Sequence, residues 1–243
     1  MTPLEKETQL KTLLKEGGEL IVAYSGGVDS SYLMAIAHEV LGNQSKAIIA
    51  DSPSIPRSEL KDAIALAEKN QWPLEVIETS EQHNSSYQAN AGDRCYYCKD
   101  ELFTQMRQLA KENNWQRLAY GAIIDDLSDH RPGAKAAEES QILAPLQDAN
   151  LSKEDIRTLS AKRGLPTASK ASFACLASRI PVGEKVTVAK LKQVEMAEEV
   201  LKGLELNQYR ARHHGEICRI EVSLEDFPTV LENRAMIERE IKK

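Results

Sequence analysis

No apolar run in this sequence approaches the length that a bilayer requires, so we expect a soluble, cytoplasmic protein with no membrane partner. Basic charge is not in excess either: 31 Lys and Arg stand against 37 Asp and Glu, a net charge of -6. Without a basic field, electrostatics does not drive nucleic-acid binding, and an RNA or DNA partner is disfavoured. Cysteine is sparse, with only Cys95, Cys98, Cys175 and Cys218. In a reducing compartment such a set argues against a disulfide framework and for metal or catalytic roles. Low-complexity segments and internal repeats beyond a strand-helix alternation are missing. The N-terminus reads as a capped helix start, with Thr2 as cap, Pro3 in the first turn and Glu5 closing a capping box, and not as a signal peptide. What remains is a chain of 243 residues, long enough to bury a sizeable core and carry an appendage.

Hydrophobic periodicity places helices at 3–16, 30–41, 57–69, 102–113 and 152–163, and strands at 19–24, 47–51, 74–78, 117–121 and 142–146. Strands alternating with helices predict an α/β fold with a doubly wound parallel sheet. Residues 83–94 read as a long polar loop and 125–133 as a charged one. After Pro181 the character changes. A helix at 187–202 capped by Thr187, a hairpin of 208–214 with 216–222, and a last helix through Glu240 capped by Ser223 or Asp226 suggest a small α+β domain. We therefore divide the chain into domains 1–180 and 181–243.

The stretch Tyr24-Ser25-Gly26-Gly27-Val28-Asp29-Ser30 joins the first strand to a helix. Its glycines open backbone N–H groups to close approach, and the helix aims its unpaired donors and positive dipole end at the same spot. Anionic oxygens are held there. No Lys follows the glycines, so this is not the G-x-x-x-x-G-K-S/T loop, and it is not G-x-G-x-x-G.

Cys95 and Cys98 stand at C-x-x-C spacing at the start of a helix, so both sulfurs can reach one metal. A redox pair has the same spacing, and a zinc site would want a second pair, which is missing. Cys175, in Ala174-Cys175-Leu176-Ala177-Ser178-Arg179, is a third thiol; three thiolates with one open position suit a [4Fe-4S] cluster, and three unrelated thiols are the bland alternative. Cys218 alternates with Ile220 and Val222 and reads as core. The Gly121-to-Gly133 segment gathers Asp125, Asp126, Asp129, Arg131 and a fixed turn, which suits Mg²⁺ and a phosphate or carboxylate, or equally a solvated loop. Strand alternation puts Gln208, Arg210, Arg212 and His214 on one face, a fair phosphate site or an edge strand in water. Glu195, Glu198 and Glu199 precede it on a helix, where surface is the default.

The Ser-Gly-Gly-Val-Asp-Ser loop resembles the pyrophosphate loop of ATP pyrophosphatases. Together with Ala50-Asp51-Ser52-Pro53-Ser54, the Asp-Asp-x-x-Asp-x-Arg-Pro-Gly segment and the Cys175 segment, nearly the whole chain resembles the LarE family. That resemblance implies an ATP-dependent sulfurtransferase of nickel-pincer cofactor biosynthesis. It would convert the carboxylates of pyridinium-3,5-biscarboxylic acid mononucleotide to thiocarboxylates, with ATP, Mg²⁺ and a sulfide donor, as a homo-oligomer. ATP would meet Ser25, Gly26, Gly27, Val28, Asp29, Ser30, Gly121 and Arg131, with Asp29 placing Mg²⁺ and pyrophosphate. Arg210 and Arg212 would hold the substrate phosphate, Glu198 would lie near the reacting end, and residues 181–243 would serve substrate binding and oligomerisation. The pair Cys95 and Cys98 with Cys175 implies the three-cysteine form carrying a [4Fe-4S] cluster; sacrificial loss of the Cys175 sulfur and tRNA thiolation are the alternatives. Ile123 departs from the family, which usually has Asn there.

Overall fold

Strand β1 (Leu20–Ala23) is buried along its whole length, as expected for the centre of a parallel sheet covered on both sides. The computed structural model describes residues 1–128, 132–171 and 174–242. With β2 (Ser45–Asp51), β3 (Leu74–Glu78) and β4 (Leu118–Tyr120), β1 forms a sheet of order β3-β2-β1-β4. Every pairing is parallel, with Ala23 beside Ile48 on one side and Tyr120 on the other.

Alternation along β1 divides its side chains between two layers. Ile21 and Ala23 join Ile48 and Ile77 against Phe103, Met106 and Ala110 of helix Arg94–Glu112. Leu20 and Val22, with Ala47 and Ile49, are buried on the opposite side, and helix Val28–Leu41 packs against β1 and β2. Each large side chain so buried contributes about 2–3 kcal/mol. Helices on both faces make the sheet doubly wound, as the periodicity predicted. Helices Pro3–Gly17 and Lys153–Lys162 pack in turn on helix Val28–Leu41.

The chain runs outward from β1 through β2 to β3 and returns with β4 on the other side of β1. The winding therefore reverses between β1 and β4. At their carboxyl ends lie the Ser-Gly-Gly loop and Gly121, the edge at which open α/β sheets bind ligands.

The polypeptide forms two compact units. The first comprises Met1–Ser52, Arg57–Glu81 and Cys95–Phe173; the second comprises Pro53–Pro56, Gln82–Arg94 and Ala174–Lys243. In the second, β5 (Tyr209–His214) pairs antiparallel with β6 (Ile217–Val222), and Ala211 packs with Ala197 and Leu201 of helix Val188–Lys202 and with Ile237. Among the described residues no helix is long and apolar enough to cross a membrane.

Several local expectations need correction. Residues 142–146 form no strand: Leu143 makes a single parallel bridge to Ala119, and Pro145, which lacks an N–H, starts a helical turn instead of extending the ladder. The polar loop at 83–94 contains a helix, Ser85–Ala89, too short to show a period. It is capped by the Asn84 side chain, which accepts from the Ser86 and Tyr87 N–H groups, and is anchored by buried Tyr87. The helix expected at 102–113 begins at Arg94. The charged loop contains a 3-10 turn at Ile124–Ser128 and a helix at Pro132–Glu139. The last helix is two, Phe227–Glu232 and Arg234–Ile241, and neither is capped by a side-chain hydrogen bond.

Candidate active site

In the first unit the loop is built by a sharp departure from β1. The Tyr24 N–H still donates to Ile48 in the sheet, at 2.8 Å. Gly26 then takes φ 68°, a left-handed conformation, and packs so closely on helix Arg57–Lys69 that a Cβ would stand 2.4 Å from that of Ala63. Ser25 Oγ lies 3.0 Å from Ser30 Oγ, and the Ser25 N–H donates to Ser30 Oγ at 3.1 Å, so the two serines close the loop. Gly27 is the N-cap residue and has no side chain to satisfy the donors behind it. The N–H groups of Val28, Asp29 and Ser30 belong to the helix's first turn, where no intrahelical acceptor exists.

Gly121, at the end of β4, closes the other side. A Cβ on it would stand 2.9 Å from the Ser30 nitrogen. Only a residue without a side chain lets β4 end against the start of this helix. Beyond it, Asp126 Oδ2 accepts from the Ile123 N–H at 3.0 Å, and Asp125 Oδ2 accepts from the Lys153 N–H at 3.0 Å. Ile123 is buried, 3% exposed. Asp129 and Arg131, expected at this site, lie outside the described residues.

Lysines that the sequence did not single out meet this loop. Lys153 Nζ donates to both Asp29 oxygens, at 2.8 and 2.6 Å. Lys170 Nζ donates to the Gly26 carbonyl at 3.2 Å and pairs with Glu59 at 2.6 Å. Lys153 and Lys170 are far from the loop in the chain, and no local pattern could have marked them.

Cys95 and Cys98 occupy the first turn of helix Arg94–Glu112, and neither is joined in a disulfide. Lys99 beside them lies 5.6 Å from the Phe103 ring centre and 5.5 Å from that of Tyr120. Burial pushes its ammonium below the ordinary value, against the opposing pull of Cys98, Cys95 and Asp126. Two thiols one helical turn apart are the donor type for two positions of an iron-sulfur cluster. Within either unit, among the described residues, no group of three or more His, Cys, Asp or Glu is placed to hold a metal ion.

In the second unit Cys175 is half-buried and precedes a 3-10 turn, Leu176–Arg179. The Leu176 N–H donates to the Ser54 carbonyl at 2.8 Å. Arg179, 4% exposed, reaches back to the Ala174 carbonyl at 2.7 Å and forward to Glu198 at 2.8 Å. Glu198, expected on the surface by default, is 9% exposed and also accepts from the Ala211 N–H at 3.1 Å. Burial there is tolerated because Arg179 and a backbone donor satisfy the carboxylate. Arg212 donates to the Ser178 carbonyl at 3.2 Å and pairs with Glu221 at 2.7 Å. Arg210, Gln208, Glu221 and Val222 line a shallow depression. Cys218 is exposed and not core. Its face is the one expected, but it lies toward the hairpin turn, beyond the Ala211 and Ile220 pair that packs into the core.

A loop that offers backbone donors to phosphate, with no lysine following its glycines, at the reversal point of a parallel sheet defines the PP-loop class of ATP-using enzymes, which ATP and Mg²⁺ fit as ligands. A family model described as NAD synthase matches residues 6–119. An uncharacterized protein of Synechocystis sp. is 41% identical over 224 residues, covering 91% of this chain and 84% of its own. The pyridinium-3,5-bisthiocarboxylic acid mononucleotide synthase of Lactiplantibacillus plantarum is 31% identical over 218 residues, 89% of this chain and 79% of its own. A glutamine-hydrolyzing GMP synthase polypeptide of Sulfurisphaera tokodaii is 26% identical over 229 residues, 85% of this chain and 60% of its own. The chain belongs to the LarE family of ATP-using sulfurtransferases.

Proposed function

We propose that this enzyme adenylates the carboxylates of pyridinium-3,5-biscarboxylic acid mononucleotide and converts them to thiocarboxylates. The observation that carries the reading is the 31% identity, along 89% of the chain, to a synthase of the bisthiocarboxylic acid mononucleotide. A substrate carboxylate oxygen attacks the α-phosphorus of ATP, the bond to the β-phosphate oxygen breaks, and pyrophosphate leaves. The loop N–H groups and helix dipole receive that charge, and Asp29 would hold Mg²⁺, which supplies further neutralisation when bound. A sulfur nucleophile then attacks the acyl carbon, the bond to AMP breaks, and the thiocarboxylate forms.

Cys95, Cys98 and Cys175 would hold a [4Fe-4S] cluster, which supplies the sulfur when bound. The C-x-x-C pair favours this form over sacrificial chemistry, in which no such pair is needed. Arg210 and Arg212 bind the substrate phosphate, and residues 181–243 serve substrate binding and oligomerisation. Glu198 acts through Arg179, whose bond to the Ala174 carbonyl holds the Cys175 backbone. We assign the reaction to the cytoplasm, where the four cysteines, none of them in a disulfide, stay reduced.

Anaerobic purification with iron and acid-labile sulfide analysis, followed by turnover with ATP, substrate and sulfide, tests the proposal. Pyrophosphate release should depend on the pyridinium substrate; release without it, or none with it, sinks the adenylation reading. Absence of iron, with Cys175 losing the mass of hydrogen sulfide after one round, replaces the cluster by sacrificial transfer.

A further inference from the structure

Departing pyrophosphate carries several negative charges, and the Ser-Gly-Gly loop meets them with neutral backbone donors only. A compensating cation has to come from elsewhere in the chain. Two lysines stand at the loop: Lys153 on the Asp29 carboxylate and Lys170 on the Gly26 carbonyl. Their side chains are 35% and 23% exposed, so both ammoniums reach solvent beside the anion site.

Both are mounted on pinned backbone. Lys153 is the first residue of helix Lys153–Lys162, whose capping box joins Ser152 to Asp155. Lys6 binds Asp155 at 2.6 Å, and at the other end Arg163 binds Glu7 at 2.8 Å. The Lys153 N–H is itself held by Asp125. Lys170 follows the 3-10 turn Pro166–Ser169, and the Arg157 fork donates to the Ala168 and Lys170 carbonyls at 2.6 and 2.9 Å. A lysine kept only for a surface ion pair would not need its backbone fixed so thoroughly, since exposed pairs contribute little.

We infer that Lys153 and Lys170 bind the pyrophosphate portion of ATP and the pyrophosphate that leaves. The inference rests on the adenylation reading and adds residues to it that the loop motif does not contain. On binding, the Lys153 ammonium exchanges the Asp29 carboxylate for phosphate oxygens, which frees Asp29 for the cation that accompanies ATP. Lys170, at the Gly26 carbonyl, meets the same phosphates from the other side of the loop. Flexible stems and compact ammoniums allow such an exchange without moving either backbone.

The test is calorimetric binding of inorganic pyrophosphate with Mg²⁺ to the full chain, wild type and variants Lys153→Met, Lys170→Met and Lys153→Arg. Each Met variant should weaken pyrophosphate binding about tenfold, with Lys153→Arg within about threefold of wild type and the distant Lys111→Met unchanged. If Lys153→Met lowers the melting temperature and leaves pyrophosphate affinity intact, the Asp29 pair is structural and the inference falls. Lys170→Met, on a separate segment, gives the same reading should Lys153→Met not fold. A wild-type protein that binds neither ATP nor pyrophosphate overturns the adenylation reading as well. Normal wild-type binding with unaffected Met variants overturns only the role of the lysines.

Discussion

Arg179 and Glu198 form a buried ion pair of 2.8 Å that ties the Cys175 turn to helix Val188–Lys202. The same carboxylate accepts from Ala211 of β5, so one side chain joins turn, helix and hairpin within the second unit. Removing one partner leaves the other charge buried and uncompensated. Glu198→Ala should cost about 3–5 kcal/mol in urea unfolding. Combining it with Arg179→Met should recover part of that loss. A cost under about 1 kcal/mol would mean that the pair behaves as an exposed one.

Acid should loosen the first unit through Glu7. Burial pushes its carboxyl up, but hydrogen bonds from Arg163 and Tyr32 outweigh burial and hold it at about 2, against an ordinary 4.5. A carboxyl depressed on folding stabilises the protein fully above its unfolded value and loses that contribution as pH falls. The stability gap between wild type and Glu7→Gln should therefore be constant above pH 4.5 and shrink between about 4.5 and 2. A gap that does not change through that window refutes the assignment.

The glycines that shape the nucleotide loop should tolerate no side chain. Gly121→Ala places a Cβ 2.9 Å from the backbone of Ser30, and Gly26→Ala combines a positive φ with contact on Ala63. Both should destabilise by about 1–3 kcal/mol and weaken ATP binding. Gly183, whose added Cβ meets nothing within 4 Å, is a useful contrast, since its positive φ strains a substitution without crowding a neighbour. Gly183→Ala should lower the melting temperature and leave ATP affinity unchanged.

The two arginines of β5 should separate in their effects. Arg212 is tied to Ser178 and Glu221, whereas Arg210 lines the depression with Gln208. Arg212→Ala should lower both the melting temperature and substrate affinity; Arg210→Ala should lower substrate affinity alone. Neither should alter ATP affinity, and unchanged substrate binding in both variants would refute the phosphate role.

Much of the fold was legible because its signals are local. The capping boxes Thr2 with Glu5 and Ser152 with Asp155, the helix Arg57–Lys69 and the strand Leu74–Glu78 depend on side chains a few residues apart. The short helix Ser85–Ala89 was not legible, because five residues are too few for a period and its anchor is the burial of Tyr87. Residues 142–146 misled because their apolar run is real, while the missing N–H of Pro145 stops the ladder after one bridge.

The sequence by itself determined the anion loop. Two glycines between a buried strand and a helix leave backbone donors open whatever the rest of the chain does, and the C-x-x-C pair likewise sets two thiols one helical turn apart. Tertiary structure alone decided which charges stand around them. Lys153 reaches Asp29, and Arg179 reaches Glu198, only because packing of distant segments brings the side chains together. An ion pair depends on separation in space, and for partners so far apart along the chain the core sets that separation, not the spacing in sequence.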